Sequence, residues 1–100
     1  MSYQFVLHDL AQKDYEIAVD WYARKSLKAV NNLIFEVENA IQLICDNPKR
    51  WRNEYKHFRE LGIKKYPYVI IYVFEEEKEL VLVTGIFHTS KNPKKKYPKL

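Results

Sequence analysis

The chain has 100 residues, 47% of them hydrophobic and 30% charged, with two glycines and four prolines. That is the composition of one folded domain with one core, and it excludes a disordered or repeat-built protein. The formal charge of +4 is unevenly spread: residues 1–47 hold seven acids against four Lys/Arg, and residues 48–100 hold thirteen Lys/Arg against six acids. A molecule with an acidic half and a basic half directs polyanions to the basic one.

Tyr3 to Leu7 reads as a short first strand. Asp9 is a candidate helix N-cap, with Gln12 placed to reach back to it. An amphipathic helix follows to about Lys25: Ala11, Tyr15, Ala18 and Tyr22 form one row, Leu10, Ile17 and Trp21 the next, and Asp14, Glu16, Asp20 and Arg24 fall mostly outward. Ser26 can cap a second helix, carried by Val30, Leu33, Ile34, Val37, Ile41 and Ile44 and closed near Asn47 by Pro48. The short link predicts an antiparallel helical pair.

Pro48 to Lys56 is polar and basic and reads as a loop. His57 to Ile63 and Tyr66 to Phe74 read as strands, Glu75 to Glu79 as a charged hairpin turn, and Leu80 to Phe87 as the returning strand. Gly85 marks a bulge or a close backbone approach. The order is β-α-α-β-β-β. The expected class is α+β, with a helical hairpin packed on one face of a small, mainly antiparallel sheet.

The chain closes on His88, then Lys91, the turn pair Asn92 and Pro93, and Lys94, Lys95, Lys96 and Tyr97 with no intervening acid. Residues 88–100 are therefore expected to form a basic tail, suited to a phosphate-rich or acidic partner or simply solvated. Cys45 is alone, and its place beside Ile41 and Ile44 reads as a buried thiol. The histidines and the cysteine have no zinc-ligand spacing, there is no phosphate-cradling glycine loop, and no cofactor is expected. Neither a leader peptide nor an apolar run long enough for a bilayer is read, so the expected location is cytoplasmic, with no membrane partner.

In order and spacing these residues resemble the RelE/ParE superfamily of toxins from type II toxin–antitoxin systems, closest to its ParE-like, plasmid-stabilisation branch. Ala11, Asp14, Ala18, Trp21 and Tyr22 resemble the pattern of the first helix. Phe35, Val37, Ala40, Ile41, Ile44, Asn47, Pro48 and Trp51 resemble the second helix and its exit. Arg59 matches an arginine of the next strand. Tyr66, Pro67, Tyr68, Ile70, Ile71 and Tyr72 resemble the central strand, and His88, Ser90, Lys91, Asn92 and Pro93 a terminal His-x-Ser-Arg-Asn-Pro element with lysine in the arginine place.

The resemblance implies a RelE-like fold over residues 1–100, toxicity, and neutralisation by a cognate antitoxin. It leaves the target open between DNA gyrase and ribosome-bound messenger RNA, and the assembly open between a homodimer and a toxin–antitoxin hetero-oligomer. A ribonuclease would need an acid, a base and cations around the phosphate. Arg59, His88, Lys91 and Tyr97 are the candidates for those roles. Arg59, Lys64, Lys65, Lys91, Lys94, Lys95 and Lys96 are the candidates for contacting a nucleic acid or another target. Val69 stands where the ribosome-dependent nucleases carry an arginine, which favours a toxin that acts by binding. A non-toxic interaction protein and a general nucleic-acid binder are the remaining readings.

Overall fold

The computed structural model describes residues 2–97. Strand β1 (Gln4–Leu7) is followed by helices α1 (Asp9–Ala23) and α2 (Leu27–Asp46). Strands β2 (Asn53–Tyr55), β3 (Phe58–Gly62), β4 (Tyr68–Glu75) and β5 (Leu80–His88) come next, then a 3-10 turn at Pro93–Lys95. The five strands form one mixed sheet in the order β1-β5-β4-β3-β2. Its β5–β4–β3–β2 part is antiparallel, and β1 joins β5 in parallel. The expected α+β, RelE-like arrangement is present, with one strand added at an edge.

That extra strand, β2, lies in the stretch expected to be a loop. All three of its residues are exposed, so no apolar alternation marks it. Its pairing with β3 alone makes it a strand.

Each helix begins where a side chain replaces a missing backbone acceptor. Ser26 Oγ accepts from Ala29 N at 2.9 Å, as expected for α2. At α1 the cap is His8, not Asp9: His8 has extended backbone and its Nδ1 accepts from Leu10 N at 3.1 Å. The helix therefore starts one residue earlier in its capping frame, and Gln12 bonds Glu16 instead of reaching back.

The main core lies between the helices and the sheet. α2 supplies Leu33, Val37 and Ile44, the sheet supplies Ile70, Tyr72, Val81, Val83 and Ile86, and α1 supplies only Ala11 and Ala18. Two alanines on the buried row let α1 approach β5 closely. The adjacent row faces out: Leu10, Ile17 and Trp21 are each about half exposed.

A smaller core of Phe58, Ile71 and Phe87 lies on the opposite face of the sheet, with Tyr97 packed against it. The expected basic tail is thus a strap across that face as far as Tyr97, and residues 98–100 of it lie outside the described residues. In β5 the pairing slips by one residue at Thr84, whose buried hydroxyl donates to the Ile71 carbonyl at 3.2 Å. Gly85 marks this bulge. A methyl there would meet Asp14 and Ile71 at ordinary contact distances, so crowding is not its reason.

Candidate interaction site

Strand β1 pairs only with Leu80–Val83, so the second half of β5 has no strand on that side. Asp14 takes the place of one. Its Oδ2 accepts from Ile86 N at 3.1 Å, although helical register had suggested an outward side chain. Burial raises the Asp14 carboxyl above its ordinary range, against the lowering effects of the Ile86 amide and the Lys91 charge. The reason for its inward turn is visible in the spacing: Asp14 lies between Ala11 and Ala18 on the buried row.

A recess of about 380 Å³ opens between α1 and the free flank of β5. Ile17, Trp21, Tyr22, Tyr68 and His88 line it, with Asp14 and Lys91 at its edge. His88 lies edge-on to Tyr68 at 5.0 Å. Its Nδ1 accepts from Ser90 N at 3.1 Å and lies 2.7 Å from Ser90 Oγ. That bond assigns the proton of the neutral ring to Nε2. The recess thus has an aromatic wall and a mixed-charge rim.

The remaining sequence candidates fall into three other places. Lys95 and Lys96 share a smaller recess, about 190 Å³, with Lys91, Leu10 and Phe87 on the other side of the same flank. Lys94 and Tyr97 border an open recess of about 350 Å³ with Tyr55 and Pro93. Lys64 and Lys65 are exposed in the turn between β3 and β4, where Lys65 has φ 68°. Lys91 therefore meets Lys95 and Lys96, while the others stand apart.

Arg59 is engaged structurally. Its guanidinium donates to the carbonyls of Trp51 at 2.5 Å and Lys49 at 3.3 Å, and lies 5.3 Å from the Phe74 ring centre. Arg59 is thereby directed into the α2–β2 connection, which it fastens to β3. Tyr97 belongs to the opposite face: its hydroxyl donates to Glu60, which also pairs with Lys96 at 2.8 Å. Burial, then the hydrogen bond to Glu60, pushes the Tyr97 phenol far above its ordinary range. Arg59, His88, Lys91 and Tyr97 are not gathered around one point. Among the described residues no group of His, Cys, Asp and Glu could hold a metal ion.

The family model of the ParE toxin of type II toxin–antitoxin systems (parDE) matches residues 5–93. The chain belongs to the ParE toxin family. The match spans both helices and all but the first residue of the sheet, so the family pattern and the fold coincide. Among solved structures, the chromosomal ParDE toxin–antitoxin system from P. aeruginosa contains a chain of similar fold, with a TM-score of 0.66 at 19% identity. The alignment covers 89% of this chain and 98% of that one. No curated protein sequence matches significantly. Among the described residues, no helix of this ParE-family chain is long and apolar enough to cross a membrane.

Trp21, Tyr22 and Tyr55 enter these recesses without having been singled out as site residues. The i, i+4 spacing of Ile17 and Trp21 beside the buried row was the available signal for the first. Nothing in the sequence marked Tyr55, whose position depends on the pairing of β2 with β3.

Proposed function

We propose that this ParE-family chain is a growth-inhibiting toxin of the cytoplasm that acts by binding its target and is neutralised by a cognate antitoxin. The observation that favours binding over RNA cleavage is the commitment of Arg59 to two backbone carbonyls, remote in role from the strap that carries Tyr97. A ribonuclease built on Arg59, His88, Lys91 and Tyr97 would need all four around one phosphate. DNA gyrase is the target that this reading prefers to ribosome-bound messenger RNA.

The antitoxin reading is supported by the exposed Leu10, Ile17 and Trp21 beside Lys91 and Lys95. An amphipathic segment carrying acids could cover the first set and pair with the second. A toxin–antitoxin hetero-oligomer is the expected assembly, and a role in plasmid stabilisation follows from the same reading.

Induction of the gene alone should arrest growth, and co-expression of the adjacent short reading frame should restore it. Purified protein should then inhibit gyrase supercoiling and leave ribosome-bound messenger intact. Growth at the control rate on induction defeats the toxin reading. Messenger cuts that vanish in Tyr97→Phe and His88→Ala would replace binding by cleavage.

A further inference from the structure

Tyr55 projects from edge strand β2 and is 47% exposed. Its ring stacks on Tyr97 with centroids 4.8 Å apart and planes 23° from parallel. Tyr97 in turn lies against Phe58 at 5.2 Å. The three rings form a short stack that starts in the core and ends at the surface. Pro93 and Lys94 complete the open recess beside it, and Lys56 Nζ lies 5.4 Å from the Tyr55 ring centre.

The acids near this stack are already answered. Glu54 pairs with Arg52 at 3.2 Å, and Glu60 holds Lys96 and the Tyr97 hydroxyl. Among the described residues, Lys56 and Lys94 enter no ion pair. A surface with a supported aromatic stack, a proline and uncompensated cations offers two kinds of contact: a flat π-face and positive charge about it.

We propose that the Tyr55–Tyr97 recess is a binding site for single-stranded nucleic acid, with one base stacked in it and the neighbouring phosphates on Lys56 and Lys94. Stacking needs a base whose face is free, which a duplex does not present. An acidic peptide would use the lysines but gain nothing from the rings. The inference goes beyond the toxin reading and stands whether or not the chain arrests growth.

The test is fluorescence anisotropy of a labelled oligouridylate of about ten nucleotides with the purified full chain. Binding should weaken as salt rises, and Lys94→Ala should flatten that dependence by about 0.7 in log–log slope. Tyr55→Ala should weaken binding about 5- to 100-fold, and Tyr55→Phe should keep it. In the unaltered protein, NMR titration should move the Tyr55, Tyr97 and Lys94 resonances most. That second measurement does not depend on the folding of any variant. The site is overturned by an absence of binding at low salt, by equal affinity in Tyr55→Ala, by a duplex that binds as tightly, or by polyglutamate that displaces the strand at equal charge. Shifts centred on Trp21 and His88 would also overturn it.

Discussion

Arg59 donates to two carbonyls of the α2–β2 connection. Removing it as Arg59→Ala strands those acceptors and should cost about 1–3 kcal/mol in urea denaturation. Arg59→Lys should recover only part of the loss, since an ammonium cannot reproduce the planar fork. A residue kept free for a ligand would leave stability unchanged when truncated. Asp14 makes a second such prediction. Asp14→Ala leaves the Ile86 amide without its acceptor and should cost about 1–2 kcal/mol. Because the folded carboxyl is raised above its ordinary value of 3.8, its contribution is largest below that pH and is lost as pH rises through the folded value. Asp14→Asn should keep the acceptor and abolish that slope in stability measured against pH.

Among the elements, β4 carries the widest responsibility. Its Ile70 and Tyr72 enter the main core and its Ile71 the smaller one, so the strand is buried on both faces. Tyr72 is fully buried, and its hydroxyl donates to the Pro48 carbonyl at 2.6 Å, tying the sheet to the end of α2. Burial pushes its phenol from 10.0 up to about 12, against the opposing charge of Arg59. The unfolded chain releases this proton first, so stability is full below pH 10 and falls by about 2–3 kcal/mol as pH climbs through 12. Alkaline denaturation followed by circular dichroism should show that step, and Tyr72→Phe should diminish it. The same variant should lose about 1–2 kcal/mol at neutral pH for the missing hydrogen bond.

At the scale of the molecule, the sheet is covered twice: by helices on one face and by the strap of Pro93 to Tyr97 over part of the other. Deleting residues 93–100 should uncover Phe58, Ile71 and Phe87 and raise the fluorescence of an added apolar dye. Tyr97→Ala should do so to a lesser degree and cost about 1–3 kcal/mol, less than truncation of a fully buried aromatic. The strap also redistributes charge. Lys96 is spent on Glu60, Lys91 and Lys95 face the flank of β5, and Lys94 faces Tyr55. A run of lysines adjacent in sequence is thus dealt to different surfaces.

Local chemistry determined the elements. The apolar spacing of Val30, Leu33, Val37, Ile41 and Ile44 required a helix with one buried face, Ser26 its beginning and Pro48 its end. The β-branched and aromatic run from Tyr68 to Phe74 required a buried strand, because these signals act between residues a few positions apart. The basic second half was equally evident, as charge is additive along a chain. Only the tertiary structure decided that β1 pairs with β5, that exposed Asn53–Tyr55 is a strand, that Asp14 caps an amide and that Arg59 binds carbonyls. Each of those facts is a contact between groups distant in sequence, and its energy exists only once the two are brought together. The candidate site is therefore less legible than the fold: the sequence names its cations, while packing chooses which of them share a surface.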